Sequence, residues 1–159
     1  MKPKPFVPEP FDHDERFVRD RSTGTVWHRC RHRTLYADTD RSAVVYHSNY
    51  LRYFEFGRAS LMRDVAYPYR EIEESGYVYP IIELGITFYS PLHYDDPIWI
   101  HTRPIELERV KLTFDYLVTH AESGAVVCRG FTRHCALNKA GRPVAVDAKT
   151  AKLWNSFPK

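Results

Sequence analysis

Long hydrophobic runs are missing from this chain of 159 residues. No stretch approaches the roughly 18 apolar residues that a membrane-spanning helix needs. No apolar segment of signal type follows the opening Met1-Lys2-Pro3-Lys4-Pro5, so no secretory leader is expected. Cysteine is scarce. Cys30, Cys128 and Cys135 form neither a CxxC pair nor a Cys/His spacing suited to a metal, so no metal site is expected. An odd count without a leader points to free thiols in a reducing compartment, and the protein is assigned to the cytoplasm. Charge of one sign is lacking too: 23 Lys and Arg stand against 20 Asp and Glu, a net charge of +3. Without a clustered basic stripe, nucleic-acid binding is excluded. A phosphate-bearing small ligand remains compatible.

Aromatic residues are plentiful, at 14%, with 11 Tyr and 9 Phe. Strands and apolar ligand sites both favour them, and strand packing accounts for most. The length fits one domain able to bury a real core. Residues 1–23 look different from the rest: four prolines lie in the first ten positions and charges crowd Asp12–Arg21. This stretch is expected to be a flexible extension, with a short helix over Asp14–Arg19 at most. The domain then spans residues 24–159.

Apolar and polar residues alternate over Thr25–Tyr36, which predicts a strand. A helix is expected over Ser48–Ala66. Ser48 or Asn49 can cap it, and Tyr50, Phe54, Gly57, Leu61 and Val65 share one face. Gly57 on that face suggests a close approach of the helix to a sheet. Four more strands are expected at Tyr77–Tyr89, Ile98–Glu108, Thr113–His120 and Val126–Leu137, then a short helix over Ala148–Ser156. Tight turns between strands imply antiparallel pairing. One five-stranded antiparallel sheet burying a face against one long helix gives an α+β domain of two layers.

The chemistry is concentrated in Tyr36-Ala37-Asp38-Thr39-Asp40-Arg41-Ser42-Ala43-Val44-Val45-Tyr46-His47-Ser48-Asn49-Tyr50. Two carboxylates and a histidine precede a helix start, where backbone N–H groups are unpaired and the dipole is positive. Such an end polarises a carbonyl oxygen, and a loop carboxylate beside it can attack that carbonyl or activate a water. Those parts suffice for ester or thioester hydrolysis without metal or serine. Read from the residues alone, Asp38 and Asp40 serve equally well as turn caps.

The run Asp38-Thr39-Asp40, Val44-Val45-Tyr46-His47, Asn49-Tyr50-Leu51, Tyr53-Phe54-Glu55 resembles the 4-hydroxybenzoyl-CoA thioesterase family. It looks nearest to the branch of short acyl-CoA thioesterases associated with the Tol-Pal system. The resemblance covers about Val26 to Leu137 and implies a hotdog fold, a sheet wrapped around a central helix, assembled as a homodimer or homotetramer.

By that resemblance the protein is an acyl-CoA thioesterase, with no cofactor and no membrane insertion. Asp40 is its nucleophile or general base, and His47 and Tyr36 orient carboxylate or substrate. Val45, Tyr46 and Asn49 would lie against the substrate, with Lys111 and Arg109 at the coenzyme A phosphates. Glu55 is the alternative base, since a related branch uses a carboxylate on the helix. An acyl carrier protein in place of coenzyme A stays open, as does a non-catalytic acyl-CoA binding role on the same fold. Ala43 departs from the family, which has glycine at that position.

Overall fold

In the computed structural model, which describes residues 2–159, the chain forms seven strands and three helices. The strands are β1 (Pro8–Phe11), β2 (Asp14–Asp20), β3 (Val26–Arg33), β4 (Ile81–Phe88), β5 (Pro97–Leu107), β6 (Lys111–His120) and β7 (Val126–Cys135). The helices are α1 (Tyr50–Asp64), α2 (Tyr69–Glu74) and α3 (Ala148–Ser156). All strands join one sheet in the order β1-β2-β3-β5-β6-β7-β4, every neighbouring pair antiparallel. Helix α1 lies across β5, β3 and β6.

Two expectations need correction. The sheet has seven strands rather than five, and Asp14–Arg19 is strand rather than helix. The physical reason is an exposed edge. The β3 backbone groups facing away from β5 need partners, and a hairpin of β1 and β2 supplies them. Phe6 then crosses the sheet's outer face and buries against Val18, Trp27, Leu117 and Val126. The adjacent pair Phe17 and Val18 in β2, which pack on opposite faces of the sheet, was the available signal, masked by the charges around it.

The main core lies between sheet and helix. Ile98, Ile100 and Thr102 point inward from β5, and all three are fully buried. Tyr50, Phe54, Gly57 and Leu61 are buried on α1 as the spacing requires. The helix is shorter than expected because residues His47–Asn49 form a 3₁₀ turn. Phe54 stacks on Tyr116 with centroids 4.3 Å apart. Behind them, α3 is anchored by Asp147, whose carboxylate accepts from the hydroxyls of Tyr67 and Tyr79 and from the Thr150 N–H. Burial alone would raise the Asp147 pKa, but these bonds outweigh it and hold it below the usual value.

Gly57 is where helix and sheet come closest. A Cβ there would sit 2.5 Å from Thr102 Oγ1 and 2.7 Å from Ile100 Cγ2. Alanine gains about 1 kcal/mol in helix propensity, whereas overpacking costs about 1–3 kcal/mol. Gly57→Ala is therefore expected to lower stability in urea unfolding. A stabilised variant would show that the helix can move off the sheet freely.

Candidate active site

Strand β3 ends at Arg33 and leads into a loop fastened at both ends. Thr34 is buried and its hydroxyl donates to the His93 carbonyl. A 3₁₀ turn over Tyr36–Asp38 follows. The Asp38 carboxylate is fully buried. Its Oδ2 accepts the Leu35 N–H at 2.9 Å and the Tyr53 hydroxyl at 2.8 Å, and Arg52 stands 3.3 Å from Oδ1. Asp38 thus takes the turn-capping role. Its carbonyl accepts both the Tyr46 N–H at 2.9 Å and Asn49 Nδ2 at 2.7 Å. That double bond set ties the loop to the start of the helix.

Between these fastenings the chain turns back on itself. Thr39 bridges to Val45, and the Asp40 N–H donates to the Val44 carbonyl at 2.9 Å. Asp40 is exposed. Its Oδ1 accepts the Ser42 N–H at 2.7 Å, while Oδ2 has no partner among the described residues. The turn closes at Ala43, whose φ is +62°. The left-handed conformation is thus kept although alanine occupies it. It costs an L-residue about 1–2 kcal/mol, part of which glycine returns as unfolded-state entropy. Ala43→Gly is expected to stabilise by about 0.5–1 kcal/mol in denaturant titration. Unchanged or reduced stability would mean the turn is not strained.

The helix tip stands beside this turn. The 3₁₀ turn of His47–Asn49 runs directly into α1. In any such start the first N–H groups, here those of His47 and Ser48, lack partners within the helix. His47 is exposed, with its ring 4.2 Å from that of Tyr46, which is 43% exposed.

The expected site residues separate into groups. Tyr46, His47 and Asn49 lie at the helix tip, Asn49 as a latch on the Asp38 carbonyl, and Asp40 lies in the turn before it, opposite Val44. Tyr36 is close in sequence but 77% exposed. Its ring packs edge-on against Tyr94 at 5.6 Å, and its hydroxyl has no partner among the described residues. Val45 is 5% exposed and packs in the core. Lys111 and Arg109 lie elsewhere. Arg33 pairs with Pro97 and Ile98 with His120, so Asp40 follows the end of the sheet marked by His120. Lys111, nine residues back along β6, is at the opposite end, about 30 Å away at ~3.3 Å per residue.

Glu55 is exposed on α1 at the mouth of a cavity of about 390 Å³. Ala59, Met62, Ile72, Leu112, Phe114 and Trp154 make most of its wall, and Arg58 stands beside Glu55. His134 lines it as well. Burial pushes the His134 pKa down to about 4, so the ring is neutral near pH 7. Its Nδ1 faces the Tyr79 carbonyl at 2.8 Å and therefore carries the proton; its Nε2 meets Thr132 Oγ1 at 2.8 Å. The cavity left no sequence signal, because its wall comes from three helices and three strands.

Residues 16–153 match the thioesterase-like superfamily. A relative from Aquifex aeolicus is 33% identical over 123 residues, 77% of this chain and 94% of that protein. The acyl-CoA thioester hydrolase of Escherichia coli O157:H7 is 25% identical over 91 residues, 57% of this chain and 68% of that protein. Among solved structures, a hypothetical protein from Aquifex aeolicus superposes with a TM-score of 0.75 at 29% identity, covering 79% of this chain and 98% of that one. No helix among the described residues is long and apolar enough to cross a membrane.

Proposed function

This chain belongs to the thioesterase-like superfamily, and on that premise we propose that it hydrolyses an acyl-CoA thioester to the free acid and coenzyme A. One observation supports the residue assignment: the Asp38 carbonyl holds both Tyr46 and Asn49, which ties the loop that carries Asp40 to the start of the helix and its unpaired N–H groups. The His47 N–H polarises the thioester carbonyl and takes up the charge that develops on its oxygen. Asp40, with Oδ2 free, activates a water or attacks directly. The acyl–sulfur bond breaks as an acyl–oxygen bond forms, either to a water whose proton passes by way of Asp40 to the leaving thiolate of coenzyme A, or to Asp40 itself, giving a mixed anhydride that water then hydrolyses to the free acid while the thiolate takes up a proton.

The apolar cavity beneath Glu55 and Arg58, whose volume is in the range of small-molecule sites, takes the acyl group; Leu112 sets it toward the Lys111 end of the sheet, so it serves a thioester held at the helix tip of a second copy. A second copy of the chain completes the site. Strand β4 is an open sheet edge with Ile82, Leu84 and Phe88 each 43–51% exposed, a surface suited to a homodimer. In a dimer Lys111 and Arg109 serve the partner's coenzyme A, which removes the difficulty of their distance from Asp40. The motif from Asp38 to Tyr50 supports a place near the branch of short acyl-CoA thioesterases associated with Tol-Pal. The curated E. coli relative named an acyl-CoA thioester hydrolase supports the substrate class.

The test is release of free thiol from a panel of acyl-CoAs of increasing chain length. Ala59→Phe, which narrows the cavity, is expected to shift the preference toward shorter acyl groups. Tight binding of acyl-CoA without thiol release at any length would sink the hydrolase reading in favour of a non-catalytic binder.

A further inference from the structure

Where the two ends of the chain meet, there is a second cavity, of about 490 Å³. It lies between the β1–β2 hairpin, the turn after α1, and α3. Phe11, Phe17, Tyr67 and Phe157 form its walls, and Lys149 and Lys152 stand on the α3 side. Its lining residues Phe11, Asp12, Asp14, Ser156, Phe157 and Pro158 all fall outside the segment matched by the superfamily, residues 16–153. The two termini therefore supply half of its lining. It is also remote from Asp40. Val65 and Tyr67 follow the C-terminal end of α1, whereas Asp40 precedes its start, and the 15 residues between span about 22 Å.

The charges around it are sorted by wall. Asp14 is already taken by Arg16, which donates from Nε at 3.0 Å and from Nη2 at 2.8 Å. Lys149 lies 4.1 Å over the Tyr67 ring and 3.4 Å from Glu71. Lys152 has no acidic partner among the described residues. Asp12 sits across from these lysines, in the turn of the hairpin, where its φ is +53°. An apolar floor with ammonium groups along one side fits a ligand with a hydrocarbon or aryl body and an anionic head.

We propose that this cavity is an accessory binding site for an apolar carboxylate, its body on the aromatic walls and its head at Lys152 and Lys149. Binding there does not depend on the hydrolase reading, although thioester hydrolysis releases acids of this class.

The experiment is calorimetric titration of decanoate into the full chain. One molecule is expected to bind, and to bind Asp40→Asn equally well. Leu153→Trp and Ser156→Trp each fill the cavity and are expected to weaken binding by about tenfold or more. Ser156 is exposed, so at least that variant keeps its fold, which thermal melting verifies. Lys149→Ala with Lys152→Ala is expected to weaken binding by about fivefold. Decanol and decyltrimethylammonium should bind the wild type no better than decanoate binds this double variant. Three outcomes overturn the assignment: no binding to the full chain, binding unchanged in both filling variants, or binding lost instead in Ala59→Trp, which fills the other cavity.

Discussion

Asp40→Asn is expected to lower kcat for thioester hydrolysis by about 10²–10⁴-fold, with KM and folding stability nearly unchanged. The side chain is exposed, and its one bond, to the Ser42 N–H through Oδ1, survives in asparagine. Only the charge and the basic oxygen are lost. The same region supplies an internal control with the opposite signature. Asp38→Ala removes a fully buried carboxylate and strands the Leu35 N–H and the Tyr53 hydroxyl. That is expected to cost about 3 kcal/mol of stability. Initial rates with a medium-chain acyl-CoA and urea unfolding of both variants separate the two roles. Wild-type turnover by Asp40→Asn would remove the carboxylate from the reaction altogether. Hydrolysis in a single turnover in labelled water then distinguishes the two routes, since only direct attack by Asp40 puts label into its carboxylate.

Acidification from pH 7 to pH 5 is expected to remove about 2 kcal/mol of stability for each of two buried histidines. Burial takes the His101 pKa from its ordinary 6.5 down to about 3, and that of His134 down to about 4. In both cases the folded value lies below the unfolded one, so the unfolded chain binds more protons. The stabilisation is complete above about pH 6.5 and is lost as pH falls toward 4 and then 3. His28 and His32 are displaced in the same direction by burial. For His28 burial outweighs the attraction of Asp64, whose carboxylate is 2.7 Å from Nε2. Against a total of about 5–15 kcal/mol for a typical domain, the combined effect is large. His101 lies on the outer face under Phe6, with ring centroids 4.4 Å apart, and its Nε2 has no partner. His101→Leu should therefore reduce the loss between pH 7 and pH 5 by about 2 kcal/mol. An identical pH slope in that variant would show that His101 does not titrate with unfolding.

Individual residues show how far the sequence carried. The apolar face of α1 was legible because a period of 3.6 residues leaves few alternatives for Tyr50, Phe54, Gly57 and Leu61. The alternation in β5 was legible for the same kind of reason. The loop from Tyr36 to Tyr50 was legible through its motif. Read from the residues alone, its two aspartates look alike; the resemblance pointed to Asp40, and the fold buries Asp38 against Tyr53 and leaves Asp40 exposed. Lys111 and Arg109 show the same limit. Strand register, which no local pattern fixes, puts them at the far end of the sheet from Asp40. The β1–β2 hairpin escaped notice because most of its charges face water, Asp20 excepted, and composition weighs them equally with buried ones.

By itself, the order of residues determined the long helix, the five strands from Val26 onward, their buried faces and the loop that holds the carboxylates, since these depend on spacing along the chain. The tertiary structure alone decided which aspartate stays free, which termini fold together, and where the two cavities open. Those outcomes depend on contacts between segments dozens of residues apart, and the strength of such contacts is set by burial rather than by neighbours in sequence.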